Sequence, residues 1–439
     1  MTSGQGLTGG LLSARTTPRS LGAVVLWASL IAGAAYWGGA LNEDGAEILL
    51  HAPPIFGEPD LRLEDGLLWP VLVAFAVIAF GPTAAERLSW RPLLAISMLA
   101  AGAWAVLLAV STGAEGFTEP LTGTPDYLRS ARTISSAGEF LSNFTAQLDI
   151  YSTHVRGHPP GMPLILHGLR EAGLYGATPA AWLIAIVAAS TVPAVLIGAR
   201  AVAEEQVARR AAPFLVLAPA AVWIATSADA LFMGVVAWGV TLVILGTVRR
   251  GSGADALAVA GGVILGLGLF LSYGLVLMAA IPIAVAVAER RLRPLALAAA
   301  GALAVMLCFA LLGFWWLDGY QALQEQYRDS IAQTRPFGFF VFNNLAGLAL
   351  ALGPAVVAAL AGLRDRRLWL LAGGGLAAVA FADLSGLSKG EVERIWLPFM
   401  PWIILATAAL SSGKWANRAW LGAQATCAIA IQALVVTEW

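Results

Sequence analysis

Charged side chains are scarce in this sequence: Asp, Glu, Lys and Arg together make up 12% of its 439 residues. A soluble domain usually carries about 25%. A larger soluble core does not explain the deficit, because single hydrophobic cores stop growing at about 250–300 residues. The chain is instead 59% hydrophobic. Its apolar residues form long runs, which indicate an all-α, polytopic membrane protein.

Cysteine and histidine are also rare, with 2 and 4 residues. Both cysteines, Cys308 and Cys427, lie inside apolar runs, so no disulfide framework is indicated. His154 and His158 are four residues apart, but the prolines that follow end any helix containing both. No metal site is therefore predicted; a divalent metal stays open, although no residue pattern indicates one.

Several motifs of soluble enzymes are missing. The sequence contains no phosphate-binding GxxxxGK[ST], no nucleotide-binding glycine pattern after a strand and no HExxH. The net charge of −1 gives no sign of a nucleic-acid partner. No cofactor is predicted from these observations, and membrane lipids are the partners that the composition does indicate.

The apolar runs predict about thirteen transmembrane helices, since a hydrocarbon core needs roughly 20 apolar residues per helix. They are placed near 21–41, 67–84, 92–112, 178–200, 211–227, 230–248, 255–271, 273–289, 294–316, 339–362, 368–385, 395–411 and 417–437. The Gly/Ser/Thr-rich residues 1–20 are predicted to be a disordered tail.

The distribution of Lys and Arg predicts the orientation. With the N-terminus in the cytoplasm, most of these residues fall in short cytoplasmic loops, as the positive-inside rule requires. Residues 159–174 are too short and too polar to span, and are predicted to lie along the outer surface. The polar outer segments are then 42–66, 113–177, 317–338 and 386–394. Long loops in a compact protein are usually functional or disordered, and the aromatic residues here favour function.

Asp126 is the candidate catalytic residue. It follows an apolar helix directly, and Pro125 with the apolar residues after it predicts a short amphipathic helix on the outer surface. A partly desolvated carboxylate there can act as a general base. The alternative is an acidic residue at a helix start, stabilised by the helix dipole.

The stretch RGHPPGMP, residues 156–163, supplies substrate-binding candidates next to this acid. Its two prolines fix the backbone and direct His158, which can bind a phosphate or a sugar hydroxyl. The alternative is that His158 only caps the entry to a helix. Arg156, and Tyr127 beside the acid, are further candidates for substrate binding.

Cations at headgroup level are candidates for binding a phosphate. Lys389 and Arg394 precede an apolar aromatic run, and Arg335 lies in the preceding outer segment. The alternative is an interfacial anchor. Asn343 and Asn344 follow just inside the next helix, where an amide is costly unless it faces a cavity or the protein interior. Two further acids near outer helix ends, Asp229 and Asp383, could be structural.

The order of these features resembles a known family. The segments DYLRSARTISSAGEFL and GHPPGMPLILHGLREAGLYGATPAAW are similar to the protein O-mannosyltransferase and aminoarabinose-transferase group of membrane glycosyltransferases. The resemblance implies the C-type glycosyltransferase fold, with amphipathic helices in the first large outer loop. It is clearest over 120–250 and weaker over 317–402. It makes 85–439 the transferase core and 21–84 two accessory helices.

The resemblance also implies roles for single residues. Asp126 matches the family's catalytic base, Arg394 matches the arginine beside the donor phosphate, and Pro159 and Pro160 match a Pro-Pro step. The family usually has an Asp-Glu pair where this sequence has Asp126-Tyr127. The implied donor is a polyprenyl-phosphate sugar, used from the outer leaflet.

The leading hypothesis is therefore an inverting glycosyltransferase that moves a hexose or pentose from this donor to a hydroxyl of a glycan, lipid or protein. A sugar–phosphate bond already contains a good leaving group, so a base and nearby cations are the groups that the protein must supply. Composition favours a bacterial cell envelope. The rivals are a transporter or flippase, which would place polar residues near the bilayer midplane in paired halves, and a non-catalytic envelope scaffold.

Overall fold

In the computed structural model, residues 18–123, 125–225, 227–328, 334–410 and 413–437 are described. Almost all of them belong to helices or to the short turns between helices. Of the predicted tail, residues 1–17 lie outside the described part. Residues 18–20 form the first turn of α1, Pro18–Glu43.

Most of the remaining longer helices overlap the predicted apolar runs, whereas one, Trp316–Arg328, lies in the predicted outer segment 317–338. These longer helices are α2 Leu68–Arg87, α3 Trp90–Ala109, α8 Ala177–Ala189 continued by α9 Thr191–Val202, α10 Glu205–Val216, α11 Ala228–Val248, α12 Ser252–Leu269, α13 Ala280–Ala288, α14 Arg293–Leu311, α15 Trp316–Arg328, α16 Phe337–Leu352, α17 Pro354–Gly362, α18 Arg366–Leu384 and α21 Lys414–Leu434. The short helices are α4 Tyr127–Ala131, α5 Ala137–Asn143, α6 Thr153–Arg156, α7 Gly161–Glu171, α19 Val392–Ile395 and α20 Met400–Ile404.

Among the described residues, eight helices are long and apolar enough to cross a membrane, or nine if one bent pair counts as a single span. The chain is thus an all-α, multi-pass membrane protein, as predicted. The count of about thirteen is not confirmed, because several predicted spans are broken. In the bent pair, Gly353 (φ +80°) ends α16, and Pro354 starts α17 at an angle of 99°. Glycine at a helix end and proline in a first turn are the expected residues for such a break.

Helix α11 forms the centre of the bundle. It is hydrophobic on all sides and therefore buried. Helix α12 packs closely against α11 through glycines, and α14 packs in the same way against α12. A Cβ added at Gly262 would lie 2.0 Å from the carbonyl oxygen of Ala298 on α14. Small residues allow such close backbone approach between helices in membranes. Packing at this centre fixes where the ends of α11 lie, and one of those ends contributes to the candidate site.

The predicted outer segment 113–177 contains four short α-helices rather than one extended loop. The helix predicted along 159–174 is present as α7, which has 11 residues and buries Met162 and Leu166. The short amphipathic helix predicted after Pro125 is present as α4, and a second short helix, α5, follows it. In the predicted outer segment 317–338, residues 317–328 belong to α15, and 329–333 lie outside the described residues.

Residues 46–59 form a loop, here called the N-terminal loop, that is fixed to the rest of the chain. Ile48 and Leu50 are fully buried in a small apolar cluster with Phe339 and Phe340 of α16. A short strand, β1 Glu58–Pro59, pairs antiparallel with β2 Val435–Val436 after α21. The loop that joins the first two helices therefore touches both α16 and the C-terminal end of the described chain.

Candidate active site

Asp126 begins helix α4 and is almost completely buried. Its Oδ1 accepts a hydrogen bond from the backbone N–H of Tyr127 at 2.6 Å, as an N-cap carboxylate does. The backbone N–H of His154 donates to the carbonyl of Pro125 at 2.9 Å, which places α6 beside the start of α4. The helix-start alternative from the sequence is thus correct about local structure, and Oδ2 still faces a second group.

That second group is His154, which links Asp126 to Arg394. Its Nδ1 lies 3.6 Å from Asp126 Oδ2, and its Nε2 lies 3.4 Å from Arg394 Nη2. A guanidinium can only donate, so Nε2 is the acceptor and the neutral ring carries its proton on Nδ1, toward the carboxylate. The acid at 126 and the guanidinium at 394 are therefore brought to one place by a single imidazole.

Two acids hold the guanidinium of Arg394. Its Nη1 donates to Asp229 Oδ2 at 2.5 Å and its Nη2 to Glu391 Oε2 at 2.5 Å. The side chains of Arg394 and Asp229 are only 6% and 5% exposed. Burial by itself lowers the pKa of Arg394, but the charges of Glu391 and Asp229 outweigh it and raise that pKa above its ordinary value. Arg394 is therefore permanently charged and already paired.

The chain reaches this arrangement through two local devices. Ser227 caps α11: its Oγ accepts from the Asp229 N–H at 3.1 Å, so Asp229 sits in the first turn, near the positive end of the helix dipole. Glu391 precedes the single turn of α19 with φ +59°, in the left-handed region. Such a backbone costs on the order of 1–3 kcal/mol and persists only where surrounding contacts hold it.

His158 and Tyr127 form an aromatic wall beside His154. The ring centroid of Tyr127 lies 5.6 Å from that of His154 and 5.8 Å from that of His158. His158 Nδ1 donates to the carbonyl of His154 at 2.9 Å, because a carbonyl can only accept. Burial lowers the pKa of His158 to about 4 and raises the pKa of Tyr127 well above its usual value. At neutral pH both rings are uncharged, and His158 Nε2 can accept a hydrogen bond.

Arg335 and Lys389 lie together on the neighbouring loop. Arg335 Nη1 donates to the carbonyl of Lys389 at 2.6 Å, and Lys389 Nζ donates to the carbonyl of Arg335 at 2.9 Å. Arg335 is 9% exposed, its guanidinium lies 5.3 Å from the Phe340 ring centroid, and its Nε has no hydrogen-bond partner in the described part of the chain. Burial lowers the pKa of both groups; the charge of Arg335 lowers that of Lys389 further, whereas Glu391 acts to raise that of Arg335. Two adjacent cations bound to backbone oxygens are suited to an anion.

Asn343 and Asn344 are buried, and their hydrogen bonds hold other segments in place. Asn344 Nδ2 donates to Asp383 Oδ1 at 2.9 Å and to the Ser388 carbonyl at 2.7 Å, and its Oδ1 accepts from the Gly390 N–H at 3.1 Å. Asn343 Nδ2 donates to the carbonyl of Pro54 at 3.0 Å. The pair thus fixes the 386–394 segment and the N-terminal loop. A substrate-binding role for them stays a prediction.

Arg156 ends α6, two residues after His154. It is half-buried; its backbone N–H donates to the Ser152 carbonyl at 3.0 Å, and its side chain makes no ion pair or hydrogen bond within the described ranges. The sequence reasoning did not single out three residues of the central cluster: His154, Asp229 as the partner of Arg394, and Glu391. The available signals were the spacing of His154 from His158 and the Ser-x-Asp start of α11.

Within residues that the structure describes, no group of three or more His, Cys, Asp or Glu is arranged to hold a metal ion. A cavity of about 720 Å³ lies away from the cluster. Its walls are α1, residues 52–59, the junction of α16 and α17, and α21, and nearly all its lining side chains are apolar. Chemically, the cluster offers a carboxylate beside a neutral imidazole, with an adjoining pair of cations.

No family model matches the chain, and no curated protein matches it by sequence. Its similarity to solved structures includes the following two. One is ArnT from Cupriavidus metallidurans in the apo state, with 16% identity, a TM-score of 0.45, and coverage of 64% of this chain and 56% of that one. The other is the Archaeoglobus fulgidus oligosaccharyltransferase in complex with Zn and sulfate, with 15% identity, a TM-score of 0.46, and coverage of 79% and 53%.

The two structures are thus an ArnT and an oligosaccharyltransferase. The chain spans only slightly more than half the length of each. At these TM-scores and identities neither similarity assigns a role to any residue. Independently of these two similarities, the chain is a multi-pass helical membrane protein with buried ionic groups clustered at one end of its central helix.

Proposed function

We propose that the protein is an inverting glycosyltransferase that transfers a hexose or pentose from a polyprenyl-phosphate donor to an acceptor hydroxyl. The observation that carries the proposal is the buried line from Asp126 through His154 to Arg394. Burying these groups is costly unless each is paired, and a membrane bundle does not need such a cluster for its packing. Buried clusters of ionisable groups of this kind mark functional sites more often than other regions.

Asp126 is the proposed base. Its Oδ1 is occupied by the N-cap hydrogen bond, so Oδ2 is the oxygen that takes the acceptor proton. The acceptor oxygen then attacks the anomeric carbon, and the bond from that carbon to the phosphate oxygen breaks. The phosphate leaves with the electron pair. His154 Nδ1 faces Oδ2 from 3.6 Å, and Arg394 Nη2 faces the other ring nitrogen from 3.4 Å, so the imidazole is held beside the proposed base.

The donor phosphate is proposed to bind at Arg335 and Lys389. Arg394 belongs to the same proposed phosphate-binding group, but two carboxylates already offset its charge. Arg394 therefore contributes positive electrostatic potential near the phosphate rather than direct hydrogen bonds to it from both terminal nitrogens. Arg335 and Lys389 place two positive charges side by side, which favours a phosphate group next to them.

His158, Tyr127 and Arg156 are proposed to contact the sugar or the acceptor. A neutral His158 has a free acceptor at Nε2 for a sugar hydroxyl, and the Tyr127 ring offers an apolar face. Asn343 and Asn344 hold the N-terminal loop and the 386–394 segment in place. The site is proposed to face the outside of the cell membrane with the N-terminus in the cytoplasm. That orientation comes from the basic loops.

The decisive experiment is mass spectrometry of lipid-linked sugars and envelope glycans in a deletion strain. Loss of the enzyme should cause a polyprenyl-phosphate sugar to accumulate and one glycan, lipid or protein to lose a sugar. Complementation with the wild-type chain should restore both, whereas Asp126→Asn should restore neither. An unchanged lipid and glycan profile would contradict the proposal.

The rival function is transport of a lipid-linked or small polar substrate. Purified protein in vesicles separates the two functions directly. Movement of a polyprenyl-phosphate sugar across the bilayer without sugar transfer, and insensitive to Asp126→Asn, would favour the transporter.

A further inference from the structure

The loop ahead of the predicted transferase core touches the residue next to Arg394. The backbone N–H of Phe56, in the N-terminal loop, donates to Glu393 Oε1 at 2.8 Å. Glu393 is fully buried, and its Oε2 has no hydrogen-bond partner in the described part of the chain. A buried carboxyl with one oxygen unsatisfied is costly. Among the described residues, Phe56 is the one hydrogen-bond partner of this carboxyl outside Glu393 itself, and it therefore constrains where α19 can lie.

Glu393 and Arg394 are adjacent in a one-turn helix, so their side chains leave it in different directions. Arg394 faces Asp229 and His154, and Glu393 faces the N-terminal loop. Helix α19 is a single turn, in which the backbone N–H groups of Arg394 and Ile395 donate to the Glu391 carbonyl at 3.2 and 3.1 Å. These bonds are confined to the turn itself, so the contacts of its side chains also set how the turn is rotated against the bundle. The direction of Arg394 therefore depends on what holds the neighbouring side chain.

The N-terminal loop is a firm support because several contacts hold it. Asn343 Nδ2 donates to the Pro54 carbonyl, and Asn42 Nδ2 donates to the Leu50 carbonyl at 2.7 Å. Leu50 packs with Phe340, whose ring lies under Arg335. The N-terminal loop is thus connected to Arg394 through its contact with Glu393, and to Arg335 through its contact with Phe340.

We propose that Glu393 is a positioning residue through which the N-terminal loop orients Arg394, so that residues 46–59 complete the candidate site. The loop's effect on turnover rests on the glycosyltransferase function proposed above. Its effect on the position of the 386–396 segment does not. The two parts can be tested separately on the same full-length protein.

The first measurement is backbone hydrogen exchange by mass spectrometry, which needs no substrate. Glu393→Ala should speed exchange at least about tenfold in peptides covering 50–60 and 386–396. Glu393→Gln keeps an acceptor oxygen for Phe56 and should stay close to wild type. The matched control is Glu58→Gln, an exposed carboxylate in the same loop. Unchanged exchange at 386–396 in Glu393→Ala would overturn the proposal.

The second measurement is binding of a short-chain polyprenyl phosphate, followed by steady-state transfer. Glu393→Ala should raise Kd and donor KM about tenfold and change kcat less, with rescue in Glu393→Gln. If exchange rises at 386–396 but Kd and KM do not move, positioning of Arg394 by the loop is overturned. If the wild type binds no polyprenyl phosphate and transfers no sugar, the proposed function fails, while the exchange result still decides the coupling.

A second variant covers the case in which Glu393→Ala does not fold. Asn343→Ala releases the Pro54 carbonyl and leaves Glu393 in place. Faster exchange in both 50–60 and 386–396 would support the coupling. Faster exchange confined to 50–60 would show that the loop moves without affecting α19, and would overturn it.

Discussion

An ion pair lies at each end of the bundle around α11, and these two pairs differ in their exposure to solvent. At the start of α11, Arg394 and Asp229 form a pair whose side chains are 6% and 5% exposed. Beyond its other end, Arg293 and Asp255 form a pair whose side chains are 75% and 33% exposed. An exposed pair contributes little, because solvent screens it. Burying an ion pair costs desolvation free energy. The position of a buried pair therefore indicates which end of the bundle is functional better than a count of charged residues does.

The largest expected difference between the ends is in catalysis. Asp126→Asn should reduce sugar transfer by a factor of about 10²–10⁴, the usual contribution of a general base. Asparagine caps helices as well as aspartate does, so α4 should remain folded. The assay is transfer of labelled sugar from a polyprenyl-phosphate donor in isolated membranes. Asp255→Asn is the matched control and should transfer normally. Equal activity in the two variants would remove Asp126 from the mechanism.

The next effect is on stability. Arg394→Gln leaves Asp229 and Glu391 without their cation and should lower the free energy of unfolding by about 3–5 kcal/mol. Arg293→Gln should lower it by less than about 1 kcal/mol. Denaturant unfolding in detergent, followed by tryptophan fluorescence, compares the two. A similar loss of unfolding free energy in both variants would contradict the expected difference between the buried and the exposed ion pair.

Glu393 should make the stability of the site end depend on pH. Burial raises its pKa to about 7, although the Phe56 N–H opposes the shift. The folded state then binds the proton more tightly than the unfolded state. Its contribution is full below pH 4.5 and is lost as pH rises toward 7, by up to about 3 kcal/mol. The difference in the free energy of unfolding between the wild type and Glu393→Gln, measured by denaturant titration at several pH values, should show this dependence on pH. A flat difference between pH 4.5 and 7 would contradict it, and Glu58→Gln should change nothing.

The smallest effect concerns the donor. Lys389→Gln should raise the donor KM about tenfold, or ~1.4 kcal/mol, and leave kcat nearly unchanged. The reason is that Lys389 would contact a phosphate whose interactions are similar before and during transfer. Arg62→Gln, a partly exposed cation paired with the exposed Asp60, is the control. A fall in kcat without a change in KM would place Lys389 elsewhere in the reaction.

The sequence predicted helices with bounds close to those observed, because apolar length is a local property. The prediction was least accurate where short-range chemistry interrupts a run. Gly353 and Pro354 divide one predicted span. Pro401, at the start of α20, lies in another predicted span that is broken into short pieces. Hydropathy averaged over about 20 residues does not detect such breaks.

The candidate site was predictable in its parts and unpredictable in its connections. Asp126 and Arg394 stand out as polar residues beside apolar runs, and the structure brings them together. The bridge between them, His154, depends on α6 lying against both α4 and α19, contacts between residues up to 240 positions apart. Asn343 and Asn344 stand out for the cost of burying an amide, but only the fold shows that they hold backbone carbonyls.

By itself the sequence determined that this chain lies in a membrane, approximately where its helices run, and that polar residues gather in a few segments. Those properties follow from composition and from periodicity over single helices. Only the tertiary structure decided which acid pairs with Arg394, which tautomer His154 takes and that the N-terminal loop touches Glu393. Ion pairing and hydrogen bonding act over about 3 Å, so they are set by where distant helix ends meet.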